Sequence, residues 1–478
     1  MIRFAGVAAA ALLMAGALWA QESQPASQPS SAPASQAATA PGSQPHSRPA
    51  SRPSRGARGK PATTASTTAT TGTSTTTSKP SEKKDRFLAV INGNVHTVTG
   101  PVLERATVLS KNGVIVALGG SVQLPPECTV VDARGMNVYP GLIATLASGI
   151  HSGDEPEQAT NVYALTMTVA LAGGITTAVS GNSAAKLTFG TTEDMLVKSN
   201  LFVRLAYSTH RPLERAQLRA DLEKVRVYLR DVRKYEREKA TDKDAKPPNK
   251  DWLTGKYEEY RKLLQHEAVA FAAAAAAQEL LDLAELASTY GFDLVIRGAY
   301  EGWAAAPQLG RAGIGAIITP REQVTPDERF NRPTGSTIEN ARLLREHGVT
   351  VAVVPATTSI TFWGVAGRDL LHLNMEAGFA VRGGLSNDDA IRTITIDAAK
   401  LLRLDDRIGS LEVGKDGDML VCDGDLLHYM TQVHYTIVNG RVAYDKSKNT
   451  LYAHIRPEGK PEVPVFDDQW PRRLEWRD

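Results

Sequence analysis

Two cysteines in 478 residues, Cys128 and Cys422, leave room for one disulfide at most. An oxidising compartment would permit the bond; two buried thiols are the other reading, and the sequence leaves both open. Charge of one sign is not in excess: 54 Lys and Arg face 52 Asp and Glu, a net +2, so the balance gives no pointer to nucleic acid. After residue 20 no apolar run is long enough to cross a bilayer, which takes about 20 residues. The Gly-x-Ser-x-Gly elbow is missing, neither cysteine has a neighbouring histidine, and Ala172-Gly-Gly174 does not follow a phosphate-loop pattern. Nucleophilic and phosphate-loop chemistry of these kinds is therefore not indicated.

What is present begins with an export pattern. Arg3 precedes the apolar run Ala5–Ala20, with small residues at Ala15, Ala17 and Ala20. This reads as a cleaved signal over residues 1–20, directing the chain to the periplasm or outside the cell. Residues 21–85 are mostly Ser, Pro, Ala, Thr and Gln. A segment with so little to bury cannot offset its ordering entropy and is expected to be a disordered tether. The remainder divides into a β piece at 86–139, an alternating region at 140–404, a second β piece at 405–455 and a tail at 456–478. A charged helical insertion at 212–265 interrupts the middle.

The β pieces are read from period-2 runs and their turns. Phe87–Asn92 is strand-like and is expected to end at Asn92-Gly93. Asn112-Gly113 and Asn439-Gly440 each sit between apolar runs, the pattern of a two-residue hairpin turn. The middle alternates helix and strand: helix at 164–172 and strand at 174–180, helix at 280–290 and strand at 292–296, helix at 307–312 and strand at 316–319, helix at 337–347 and strand at 349–354. A further helix starts near Asn387, capped by Ser386 or Asn387. Such βα units imply a parallel sheet, and 140–404 has room for a (β/α)8 barrel. Leu218, Leu222, Val225, Leu229 and Val232 mark one amphipathic helix in the insertion, expected to pack on the parent barrel.

Several blocks carry a resemblance. Asp132–Gly135 followed by Val138–Ile143, then Ala172–Thr177, Ile394–Leu402 and above all Asp405–Asp418 resemble the amidohydrolase superfamily in its imidazolonepropionase-like branch. The blocks span roughly 87–444. The resemblance implies an α/β fold: a (β/α)8 barrel plus a small β-sandwich built from both chain ends. It also implies hydrolysis of C–N bonds by water activated on one or two divalent metals at the C-terminal strand ends.

The ligands that this chemistry needs are replaced here. The family's first-strand histidine pair falls on Leu146 and Ser148. A later pair falls on alanines, read as Ala272 and Ala274 in the run Val269–Ala277. Arg297 and Gly298 stand where Glu-His-Gly would begin, and Ala356 stands at the general-base aspartate. The resemblance therefore implies a degenerate member with no catalytic residues and no cofactor, serving as a ligand-binding protein or as the inert partner of an active homologue or of a second copy. Arg297, Glu301 and Arg321 are the charged groups nearest the expected strand ends, and Arg297 would suit an anion. His151 and His210 lie in loops near the expected mouth. With Asp154 or Glu155 they are the material for the alternative, an active C–N hydrolase for cyclic amides or dipeptides with a rearranged zinc or other divalent site. A second alternative makes the chain a surface scaffold held by its linker.

Overall fold

The computed structural model describes residues 85–153, 155–242, 245–361 and 367–448. The expected signal, the tether apart from Asp85, and the tail lie outside the described residues.

The N-terminal β piece supplies β1 Phe87–His96, β2 Val102–Lys111, β3 Val114–Gly119, β4 Thr129–Asp132 and β5 Asn137–Pro140. Alternation then carries the chain through β6 Leu142–Ala144, β7 Ile175–Ser180, β8 Ser183–Lys186, β9 Leu196–Lys198, β10 Phe202–Arg204, β11 Val269–Ala274, β12 Leu294–Gly298, β13 Gly315–Ile318 and β14 Thr350–Val353. Near the other end come β15 Met419–Cys422, β16 Val433–Val438 and β17 Arg441–Asp445. Strands from both regions share one eight-stranded sheet in the order β17-β16-β15-β5-β1-β2-β3, with β4 beside β1. The resemblance implied a sandwich; the ladders make a single hydrogen-bonded sheet, joined where β5 runs antiparallel to β15.

Turn chemistry explains its hairpins. Asn112 (φ 52°) and Gly113 (φ 91°) join β2 to β3, and Asn439 (φ 50°) with Gly440 (φ 61°) joins β16 to β17. Asn92-Gly93 differs from expectation. Asn92 has φ 57°, but β1 runs on to His96, and its register against β2 shifts between Val90 and Gly93. The pair makes a bulge inside the strand rather than a turn after it. A side chain at Gly93 would meet Val138 Cγ2 at 2.5 Å, so glycine is required there.

The alternating region forms two further sheets, parallel β10-β11-β12-β13-β14 and β6-β7-β8-β9. No continuous ladder closes them into a barrel among the described residues. They are stitched at both sides instead. Leu201 N donates to Asn182 O at 3.0 Å, and the Asn182 side chain bonds both Phe202 N and Phe202 O. On the other side Ser148 N donates to Thr358 O at 2.8 Å. Between the sheets lies an interior cluster in which Ile143 and Val179 of one sheet pack with Phe202, Val269, Val295, Ile317 and Ala352 of the other. The helix Ile396–Leu402 adds Leu401 and Leu402 to this cluster. Leu401 lies so close to Gly315, at the start of β13, that a Cβ there would be 2.2 Å from its Cδ2. The interior is thereby plugged at the N-terminal ends of the strands.

The outer faces of the strands pack against helices. Leu218, Leu222, Val225 and Leu229 of the helix Pro212–Lys239 are buried in that outer cluster with Leu263 and Leu264, so the heptad-like stripe is used on its own chain. One helix was expected to begin at Pro307; it begins at Gly302 and carries Pro307 inside it, because Ala305, Ala306 and Leu309 are all buried. Ser386 caps Asn387–Thr393, its Oγ accepting from Asp389 N at 3.1 Å.

Lys186, on β8, is fully buried. Its ammonium lies 2.7 Å from Asp416 Oδ2 and 2.9 Å from Asp418 Oδ2, and it donates to Asn439 Oδ1 at 2.6 Å. This cation joins β8 to the segment around β15 and the β16–β17 turn. Cys128 and Cys422 are both free thiols. No helix among the described residues is long and apolar enough to cross a membrane.

Candidate functional site at the strand ends

Side chains alternate across a strand, and burial sorts them into two faces. On the inward face exposure rises along the chain direction. Val269 is buried, Phe271 half-buried and Ala273 exposed; Val295 is buried and Arg297 exposed; Ala352 and Val354 are buried and Ala356 exposed; Phe202 is buried and Arg204 exposed. The interior is closed at its N-terminal end and open at the C-terminal end. That is the end at which (β/α)8 barrels carry their sites.

This geometry corrects part of the sequence reading. Ala272 and Ala274 are buried in the helix-facing cluster, so neither faces the mouth. The residue that β11 presents there is Ala273, opposite Arg297 in the ladder. A one-residue offset on a strand sends every side chain to the other face. Gly298 likewise points away: at φ +99°, a Cβ on it would lie 3.0 Å from Ala274 O. Arg297 is the mouth-facing residue of β12. Leu146 is half-buried against the interior cluster, and Ser148 is exposed just beyond it. Arg204, which the sequence reading left out, is on the same face as Phe202. The alternation Phe202-Val203-Arg204 was its signal.

Two guanidinium groups therefore face the mouth. Arg297 is exposed and forms no hydrogen bond or ion pair with any described residue. Arg204 donates from Nη2 to Gly181 O at 2.7 Å and has no carboxylate partner among the described residues.

The other expected binding residues are engaged elsewhere. Glu301 is buried; its Oε2 accepts from Ala277 N (2.9 Å) and Arg332 Nη2 (3.0 Å), and its Oε1 accepts from Gly335 N (2.9 Å). Burial works against its charge, but these donors win and hold its carboxyl below the ordinary glutamate value. Glu301 thus clamps the loops after β11 and β13 to the loop after β12. Arg321 pairs with buried Glu376 and lies 4.5 Å over the Phe379 ring, lining a cavity of about 840 Å³ with Glu322, Arg368 and Arg382. His151 is buried with Nδ1 2.8 Å from Ser152 O and Nε2 3.0 Å from Ala178 O. Both ring nitrogens face carbonyl oxygens, so the ring turns no lone pair outward. His210 is exposed in the loop before Pro212. Asp154 lies outside the described residues, and the Glu155 carbonyl accepts from Ser152 Oγ.

The donor set at the rim can be tested against a divalent metal. Leu146, Ala273 and Ala356 carry only hydrocarbon, and Arg297 carries a fixed cation and no acceptor. These residues do not fit a metal ion, which needs imidazole, thiolate or carboxylate donors. A dication about 4 Å from a guanidinium would be repelled by about 2 kcal/mol in water and about 8 kcal/mol at an effective dielectric of 20. Among the described residues, no three His, Cys, Asp or Glu side chains gather into a metal-holding group.

Comparison with known proteins places the fold. The Amidohydrolase family model Amidohydro_3 matches residues 263–444. An imidazolonepropionase of Mesorhizobium japonicum is 32% identical over 144 residues, 29% of this chain and 31% of that protein. An enamidase of Eubacterium barkeri is 33% identical over 97 residues, 20% of this chain and 23% of that protein. The match thus spans less than a third of the length of either relative. The crystal structure of an amidohydrolase from Thermotoga maritima MSB8 superposes with a TM-score of 0.57 at 22% identity, covering 75% of this chain and 100% of that one, a likeness of fold. The blocks read from the sequence, the matched family region and this likeness of fold agree in pointing to the amidohydrolase superfamily.

Proposed function

We propose that this chain is an exported amidohydrolase relative that uses its strand-end mouth to bind a ligand, not to hydrolyse one on a metal. The observation that carries the reading is the rim itself, with Ala273 opposite Arg297 and Ala356 at the end of the last strand. The superfamily's water activation needs lone-pair donors where these side chains stand. Export rests on the composition of residues 1–20.

The test is metal content combined with turnover. Protein purified without chelator is analysed for zinc, iron, manganese and nickel, then assayed on cyclic amides, N-acyl amino acids and dipeptides with and without added metal. The expected result is well under 0.1 metal per chain and no chelator-sensitive hydrolysis. About one tightly held divalent ion per chain, with activity that a chelator abolishes, would overturn the reading in favour of an active C–N hydrolase with rearranged ligands.

A further inference from the structure

We infer that the mouth takes a small carboxylate with an apolar body, its carboxylate held by Arg297. This rests on the reading of the mouth as a binding site. A guanidinium with no partner among the described residues, on a strand end and on the inward face, is a donor fork open to an acceptor. Its planar geometry matches a carboxylate in a bidentate pair. The carboxylates on the loops beyond β12 and β13 do not neutralise it: Glu301 is clamped by Ala277, Gly335 and Arg332, and Glu322 faces Arg368 at 3.9 Å. Arg204, two strands away on the same face, adds a second positive charge that no described carboxylate compensates.

The rest of the mouth sets the body of the ligand. Ala273, opposite Arg297, carries only a methyl group beside the guanidinium. Below it Phe271 is half-buried, with its ring centroid 5.1 Å from that of Phe202, and Leu146 packs against the same interior cluster. The floor is therefore apolar and aromatic while the rim is cationic. A carboxylate joined to a short hydrocarbon or aromatic group meets both; a bare inorganic anion meets only the rim.

The experiment is calorimetric titration of the full chain, stripped with chelator and held at low salt, with 3-phenylpropionate, 3-phenylpropionamide and inorganic phosphate. Phenylpropionate should bind, and the neutral amide should bind about tenfold to hundredfold more weakly, the range for losing a charge-assisted hydrogen bond. Arg297→Gln should weaken phenylpropionate by a similar factor, and Arg297→Lys by less. Thermal denaturation should show Arg297→Gln folding as well as the wild type, because the side chain is exposed and without a described partner. Equal binding of acid and amide, undiminished binding by Arg297→Gln, phosphate binding as tightly as phenylpropionate, or no binding of phenylpropionate would each overturn the inference. A metal-free, inactive chain that ignores phenylpropionate sinks this inference alone; a metal-dependent hydrolase sinks the reading beneath it.

Discussion

Replacing Glu301 by glutamine should destabilise the fold by about 2–3 kcal/mol at neutral pH, although the two side chains are nearly the same size. The glutamate uses both oxygens, one for two donors and one for a third. A glutamine must put its amide nitrogen where one oxygen stood. If that is the Oε1 position, an N–H faces Gly335 N–H; if it is the Oε2 position, two donors are orphaned. One buried donor left unsatisfied costs about 1–3 kcal/mol. Loss of the ion pair with Arg332, which is partly exposed, adds at most about 1 kcal/mol. The pH dependence has a definite sign. The carboxyl of Glu301 is lowered in the folded state, so its contribution is complete above the unfolded value of about 4.3 and is lost as pH falls through the lower folded value. Denaturant melts of both proteins should show a constant gap from pH 7 to about pH 5, which narrows below about pH 4 as the wild type gives up its own charge. A gap under about 0.5 kcal/mol at pH 7, or one that does not narrow in acid, would refute the clamp.

Lys186→Met should cost about 3–5 kcal/mol, because it strands buried Asp418 without its cation and leaves Asp416 with Arg407 alone. Asp418 Oδ2 has no aligned hydrogen bond and is compensated by charge alone, so Lys186→Met with Asp418→Asn should recover part of the loss in a double-mutant cycle. Thermal melts of the four proteins check this, and additive losses would count against the coupling. Cys422 is fully buried and its thiol is pushed up to about 12 by desolvation, so it should resist iodoacetamide in the native protein at pH 8. Mass analysis after labelling should show its peptide modified only in denaturant, with both thiols then available; rapid native labelling of Cys422 would contradict its placement.

The rhythm of the middle region was legible because each βα unit carries its own local signal. The run Val269–Ala274 is the instructive exception. Its alanines favour a helix, yet the segment is a strand held on both sides by parallel neighbours, so tertiary pairing overrides propensity. The same alanines hid the phase of the strand. With Ala272, Ala273 and Ala274 alike, no side-chain contrast says which one faces inward, and only the packing of Val269 and Phe271 against the interior decides it. Asn92-Gly93 misled for a related reason. The left-handed residue that makes a hairpin turn also makes a bulge, and pairing of β1 on both flanks selects the bulge. The Lys186 junction had no local signal at all, since its partners lie 230 and 253 residues further along the chain.

The fold and the rim are separable in physical terms, and this is why a chain can keep the one while the other changes its chemistry. What holds the fold is buried: the interior cluster, the helix that plugs it, the outer helix-facing cluster and the Lys186 junction. What faces the mouth is exposed at Ala273, Arg297 and Ala356, so those side chains contribute little to the burial that stabilises the chain. An arginine placed among metal ligands would be expelled or would expel the metal. Where alanines stand at the rim, the charge of Arg297 meets no partner among the described residues, and with Arg204 the strand ends retain positive charge at the positions their geometry prepares. In such a mouth the fixed guanidinium favours anionic ligands as a metal ion would, but it offers no water of lowered pKa. On the proposed reading, binding would then persist without the metal-activated water that the superfamily's hydrolysis uses.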